Sequence, residues 1–510
     1  MRTNTVIYRS ALAALVLIPL GCGGDDSPTD PDPTPEPTSV VLSETSVDFP
    51  ALGDSTQVTA EVHDQFGDLV AGSSFTWSTT DDAVATVSDE GWVLAVGNGS
   101  AGVIATSGSL ADTVAIEVAQ VPADWTVTPD SIVLGEGDDQ QVTVTATDAN
   151  GFAIENPEVE WESTDEDAVA VDTEGRITAV RAGRRASVYA MGESLDWEIR
   201  VRVLGQFAFS RGTGVFVANE DGSGVRQFVE TDKTPGQLTW TVDGSKLAFV
   251  DGIGSVYTTI SAVNADGTGY TDVISTMAMN LSPTWSPNGM RIAYMNQPTG
   301  GDREIYVADA DGGNRKNVST NVGIDQMPAW SPDSSYIAFT RDGPGGMDLW
   351  MTDPEGESTP IRLTTAGGSN IRATWSPDAA RIAFVSFRDG NYEIYTLAGP
   401  NAQGEANLTN NSAADQSPAW SPDAEQIAFV SDRGGNPDIY VMDADGGNVR
   451  ALTSNVYEER LPVWSADGSR IFYLREIAGT FEVYSISVEG GAPTRLTEGS
   501  GDVTSVAWRP

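Results

Sequence analysis

An all-β chain is predicted: two β-sandwiches followed by a seven-bladed β-propeller whose N- and C-terminal strands pair to close it. Three observations predict it. Tryptophans stand at Trp240, Trp285, Trp330, Trp375, Trp420, Trp464 and Trp508, with gaps of 45, 45, 45, 45, 44 and 44 residues. A fixed period in that range marks a repeat architecture. Ahead of them, residues 39–204 carry a strand-like alternation that runs through twice. No stretch of useful length has helical periodicity.

Each propeller repeat reads as four short strands. The first holds the Trp, and Ser-Pro-Asp-Gly or a variant closes the turn after it. Pro pre-sets φ at the second turn position, and Asp and Gly suit those that follow. An apolar run comes next, such as Ile427-Ala428-Phe429, then a third strand such as Asp438-Ile439-Tyr440-Val441. A turn and a short fourth strand complete the unit. Six units begin at Trp240 to Trp464, and a seventh first strand, Val506-Ala507-Trp508, ends the sequence without its partners. Those partners precede Trp240: Phe207-Ala208-Phe209-Ser210, Val215-Phe216-Val217-Ala218 and Val225-Arg226-Gln227-Phe228. Splitting one blade between the two ends removes free edges from the ring. The propeller is assigned to residues 205–510.

Residues 1–22 read as a secretory signal: Arg2 and Arg9, an apolar run from Ala11 to Leu20, then Gly21-Cys22. The run is about ten residues, too short for a helix to span ~30 Å of hydrocarbon. Cys22 is the single cysteine of the chain, so no disulfide framework exists. Residues 23–38, rich in Asp, Pro and Thr, form an extended linker. The cysteine with this polar run resembles a bacterial lipoprotein signal, which implies lipidation of Cys22, although Pro19 and Leu20 stand where Leu and a small residue are usual.

Residues 39–121 and 122–204 each carry about seven short strands with turns every 8–12 residues, the pattern of a β-sandwich. Trp77 and Trp161 recur one domain length apart and are expected in the two cores. Gly-x-(Val/Ile)-x-Ala-Val occurs in both segments, Trp-x-Ser-Thr and Ala-Val-Ala-x-Val are each exact in one and varied in the other, and Gly-x-Ala accompanies them. These elements resemble group 2 bacterial immunoglobulin-like domains. In the propeller, Pro-Ala-Trp-Ser-Pro-Asp, Ile-Ala-Phe-Val-Ser-Asp-Arg and Asp-Ile-Tyr-Val-Met-Asp of residues 418–443 resemble TolB-type blades, and the likeness extends over 206–510. In TolB this propeller binds the peptidoglycan-associated lipoprotein at the mouth of its channel. Here the TolB N-terminal α/β domain is replaced by two immunoglobulin-like domains and the blade count is seven, not six. The resemblance therefore implies architecture and compartment more firmly than a partner.

Chemistry is sparse. The one histidine, His63, lies in the first sandwich, so no histidine base stands beside a nucleophile in the propeller. Certain pectate-degrading lyases resemble this propeller with histidine-rich metal sites in the channel, which this chain cannot copy. Asp309-Ala310-Asp311-Gly312 and Asp443-Ala444-Asp445-Gly446 look like the start of a calcium loop, but Thr320 and Ser454 stand where its bidentate Glu belongs. They are expected to be hairpin turns. The expectation is a chain that is not an enzyme and carries no metal or cofactor.

Five residues before five of the tryptophans stand Asn280, Asp325, Asn370, Asp415 and Glu459. Placed on the loops that enter the first strands, they would ring one channel mouth. The loops between second and third strands, on the same face, carry Arg341, Arg388, Arg433 and Arg475. Such a ring reads either as a binding face for a protein loop, a glycan or a cationic ligand, or as turn caps that pair with one another. Lys and Arg against Asp and Glu give 28 − 73 = −45. Nucleic acid requires clustered positive charge and is excluded as a partner. The sequence thus describes a secreted, lipid-anchored envelope protein of the outer membrane, facing periplasm or cell surface. Its propeller binds an envelope protein or a cell-wall glycan, and a carbohydrate-binding or polysaccharide-processing role is the alternative.

Overall fold

The computed structural model describes residues 34–320, 323–343, 345–365, 367–399, 403–499 and 501–510. The signal segment and Cys22 lie outside them. The described residues fall into two compact units, one of residues up to 125 together with 145–157, the other of 126–144 and 158–510.

The first sandwich is built by alternation. Ser46–Phe49, Leu110–Val118, Gly99–Ser107 and Thr76–Thr79 form one sheet, and Ser55–Gln57, Trp92–Ala95 and Ala85–Val87 another. Val103, Ala105, Val114, Ile116 and Val118 point inward at every second position, against Val58, Val84 and Val93. Trp77 is half-buried and packs on this core. Its ring lies against Gly91, which has φ +79, and a Cβ there would come within 2.9 Å of the indole and 2.3 Å of the Val58 carbonyl oxygen. The second sandwich repeats the device: Gly175 has φ +79, and a Cβ would stand 2.4 Å from the Trp161 ring. Only glycine fits both the backbone and the gap. The shared Gly-x-(Val/Ile) element is thus the seat of the shared Trp.

Among the described residues the propeller comprises seven four-stranded antiparallel sheets. Six are consecutive in sequence. In the seventh, Gln206–Arg211 lies between Gly214–Asn219 and the C-terminal strand Val503–Arg509, with Phe207 opposite Trp508 and Phe209 opposite Val506. The two ends of the domain therefore close one blade.

Sequence detail explains the blade. The second strand of each, such as Gln426–Ser431, is buried on both faces because it sits between neighbouring blades; it reads as an unbroken apolar run for that reason. Each Ser-Pro-Asp turn is a small hydrogen-bond circuit. Ser421 Oγ donates to Asp423 Oδ1 (2.5 Å) and accepts from the Gln426 amide, while Asp423 also accepts from the Glu425 amide. These donors hold the Asp423 carboxyl below the usual range. The fourth turn residue takes a left-handed backbone: Gly244 φ 66, Gly289 φ 67, Gly468 φ 69, but also Ala379 φ 58 and Ala424 φ 62.

A non-glycine residue there carries about 1 kcal/mol of strain or more. Ala379→Gly removes the strain and gives back part of it as unfolded-state entropy. It is expected to stabilise the domain by roughly 0.5 kcal/mol, measured as a shift of the denaturant midpoint at unchanged slope.

Candidate functional site

The predicted ring residues are brought together in pairs, but not on a loop. Asn280, Asp325, Asn370, Asp415 and Glu459 lie within first strands and are completely buried. This corrects their expected position at an open mouth. A buried carboxylate requires a partner, and each receives one from the loop or strand end beside it. Arg341 donates to both Asp325 oxygens, Nε and Nη2 each at 2.7 Å. Arg433 Nη2 stands 3.0 Å from both Asp415 oxygens, and Arg475 Nε 2.8 Å from Glu459 Oε1. Where the strand carries an amide, the pairing changes. Asn280 accepts from Asn296 Nδ2 at 2.7 Å. Asn370 Oδ1 accepts from Arg388 Nη2 at 2.8 Å, while Arg388 Nη1 turns to Glu405.

Aromatic rings complete each unit. Arg341 lies over Trp350 (4.7 Å), Arg388 over Tyr395 (4.4 Å), Arg433 over Tyr440 (5.0 Å) and Arg475 over Tyr484 (4.5 Å). The ring is a frame that holds the loops of this face.

A second layer of acids sits at the start of third strands. Glu304 accepts from Ser319 Oγ at 2.8 Å, and burial, with the Asp325 charge nearby, pushes its carboxyl up to about 7. Asp438 is raised to about 6 by burial and then by Glu459.

The open channel is lined by different residues, three before each of the first six tryptophans: Gln237, Ser282, Met327, Arg372, Ser417 and Leu461. All six have left-handed backbones, with φ between 52 and 57. Pro283, Pro328, Pro418 and Pro462 follow four of them. Proline has no amide hydrogen for the ladder, so the strand must bulge there, and the register skips between Gln416 and Ala419 and at the equivalent places. The bulge turns the preceding side chain into the channel. The repeated Pro two places before Trp is a sequence signal for this in four blades, and two more bulge in the same way with Leu238 and Ala373 there. A cavity of 520 Å³ results, also walled by Ala373, Val463, Thr504 and Val506.

The opposite face of the propeller, made of first-to-second and third-to-fourth turns, meets the second sandwich. Arg202 pairs with Glu220, Arg185 with Asp467 at 3.6 Å, and Arg509 Nη1 with Glu136 at 2.6 Å. Arg181 Nη2 donates to the Asp243 carbonyl at 2.6 Å. Asp309–Gly312 and Asp443–Gly446 are turns on that side, closed by the Gly312 and Gly446 amides onto the Asp309 and Asp443 carbonyls.

Asp325→Ala leaves a buried guanidinium unpaired and is expected to cost about 3–5 kcal/mol of stability. Ser282→Ala on the channel wall is expected to stay within about 0.5 kcal/mol; paired urea titrations distinguish the two. Glu304 and Asp438 bind protons in the folded chain at a pH where the unfolded chain has released them. Their contribution is complete below the ordinary carboxylate range and is lost as pH rises through about 6 and about 7. The melting temperature is expected to fall from pH 5 to pH 8, and Glu304→Gln to flatten that slope.

With this geometry the comparisons can be placed. The family model for the TolB beta propeller domain matches residues 211–385 and 361–510, and that for the bacterial Ig-like domain (group 2) matches 38–118 and 123–191. None of the curated proteins matches the sequence. Among solved structures, TolB from Acinetobacter baumannii is similar at 19% identity and TM-score 0.44, over 71% of this chain and 84% of that one. An oligogalacturonate lyase in complex with manganese is similar at 14% identity and TM-score 0.46, over 58% and 86% of the two chains. A puromycin hydrolase is similar at 15% identity and TM-score 0.45, over 52% and 47%. Two of these three are enzymes, and against them the expectation of a chain that is not an enzyme does not stand. The propeller match covers more than half of the sequence, and the chain belongs to the TolB beta propeller domain family, with group 2 bacterial Ig-like domains ahead of the propeller.

Proposed function

We propose that this is a cell-envelope protein whose propeller is a binding head for a protein or cell-wall glycan. Cys22 would carry the lipid, residues 23–38 the spacing, and the two Ig-like domains would form the stalk. The TolB-like fold suggests an interaction or envelope role of this kind. The observation that carries the reading is the chemistry of the face with the buried ring. Val256 (72% exposed), Met277 (82%) and Val456 (88%) project from its loops, with Tyr257, Phe387 and Tyr457. The loop bearing Val256 and Tyr257 touches the strand that follows Met277, through Thr258 Oγ1 on the Asn280 carbonyl, so Val256, Tyr257 and Met277 lie close together. Exposed apolar groups on one face of a propeller favour an interaction site. The second sandwich occupies the other face, leaving this one clear of it.

The buried acids and arginines serve this face indirectly: Asn280, Asp325, Asn370, Asp415 and Glu459, with Arg388 and Arg433, fix the loops that carry the exposed groups. The test therefore changes the rim and not the frame. In capture from native envelope extract on full-length bait, Val256→Asp with Met277→Asp and Val456→Asp is expected to release a partner that the unaltered chain retains. Equal retention moves the site elsewhere. Cys22→Ser is expected to shift the protein from the membrane to the soluble fraction and to abolish labelling by radioactive palmitate.

A further inference from the structure

We propose that the central channel is a binding site for a small monocarboxylate, held by Arg372. The chain carries 73 acidic and 28 basic residues, and most arginines of the propeller are committed to carboxylates. Arg372 is not. Among the described residues it is the one charged side chain lining the 520 Å³ cavity, it is exposed there, and no carboxylate lies within ion-pair distance. Among the described residues its side chain makes one hydrogen bond, from Nη1 to Ser417 Oγ at 3.3 Å, which leaves the rest of the guanidinium fork open to the channel.

The backbone holds it there. Arg372 has φ 57 on the bulge that turns this position inward, an unfavourable conformation for a non-glycine residue. The backbone thus roots the side chain on the channel wall.

Ligand class follows from charge, shape and wall. A guanidinium fork matches the two oxygens of a carboxylate. A polyanion would meet one cation in a strongly acidic molecule, whereas a monoanion is balanced by it. The volume lies in the range of small-molecule sites. Around the ring, hydrogen-bonding groups from Gln237, Ser282 and Ser417 are interspersed with apolar contact from Met327 and Leu461. The body of the ligand is thus small, uncharged and part apolar. Its carboxylate can belong to a free acid or to the C-terminus of a peptide that enters the mouth.

The site stands apart from the rim, so its test is separable from that of the binding head. Full-length protein is titrated calorimetrically with N-acetyl-dialanine and with 2-hydroxy-4-methylpentanoate, each beside its amide, and with inorganic phosphate. At least one acid is expected to bind about tenfold more tightly than its amide, and more tightly than phosphate. The tighter acid identifies the source. Arg372→Gln is expected to abolish the preference at unchanged melting temperature, Arg372→Lys to restore part of it, and the rim triple variant to leave it intact. Equal binding of acid and amide, preference for phosphate, insensitivity to Arg372→Gln, or no binding at about 10 mM, far above a micromolar Kd, would each overturn the proposal.

Discussion

The propeller depends on the buried indole that each first strand places between neighbouring blades; in four blades its Nε1 donates to a carbonyl of the blade before. Trp330 Nε1 donates to the Thr284 carbonyl at 3.1 Å, Trp375 to Ala329 at 3.2 Å, Trp420 to Thr374 at 3.2 Å and Trp464 to Ala419 at 2.9 Å. Donor and acceptor both sit in first strands, so the contact sets how closely neighbouring blades approach the axis. The indole also fills the wedge between two sheets, where Trp420 packs with Ile394, Ile427 and Phe429. Each bond contributes only about 1 kcal/mol, but the packing it orients is worth several times that. At the closing blade the same place is held by ring contact, Trp508 on Phe472 at 4.6 Å.

That arrangement explains what was legible. An indole between blades must recur once per blade, so its period reported the architecture directly. The pairing of Phe207 with Trp508 was readable because an orphan first strand at one end and three orphan strands at the other have only each other to satisfy their backbone groups. The seat of Trp161 at Gly175 was legible as a motif, though not as a mechanism. Positions facing the channel were harder. Asp415 and Ser417 are two residues apart, and strict alternation would put them on the same side. The bulge at Pro418 breaks that rule, burying the first and exposing the second.

Polarity misled for a related reason. Asp, Asn, Glu and Arg beside turns ordinarily report solvent, and here they report the opposite. At this end of a blade the acid and the arginine come from neighbouring strands of one sheet, and the long arginine side chains stack on aromatic rings of the third strand. Arg433, for example, bonds Asp415 with its fork and covers Tyr440 and Phe429 with its plane. Such a pair gives little net stability compared with an apolar filling, yet it fixes loop geometry, because neither charge tolerates separation.

Repetition inside the chain then separates framework from opportunity. Five residues before Trp, the side chain varies only among Asn, Asp and Glu in the blades that use it, since each must meet a partner across a fixed gap. Three residues before Trp, the same backbone carries Gln, Ser, Met, Arg, Ser and Leu. Nothing in the packing selects among these, because all face open space. A cation at one such place, in a molecule of net charge −45, is a single positive centre on a channel wall whose other described residues are uncharged. An approaching anion is repelled by the molecule as a whole and attracted only at short range, within about a Debye length of 8 Å. Such a field admits small single charges and rejects polyanions, a selectivity written in the charge distribution and not in any one contact.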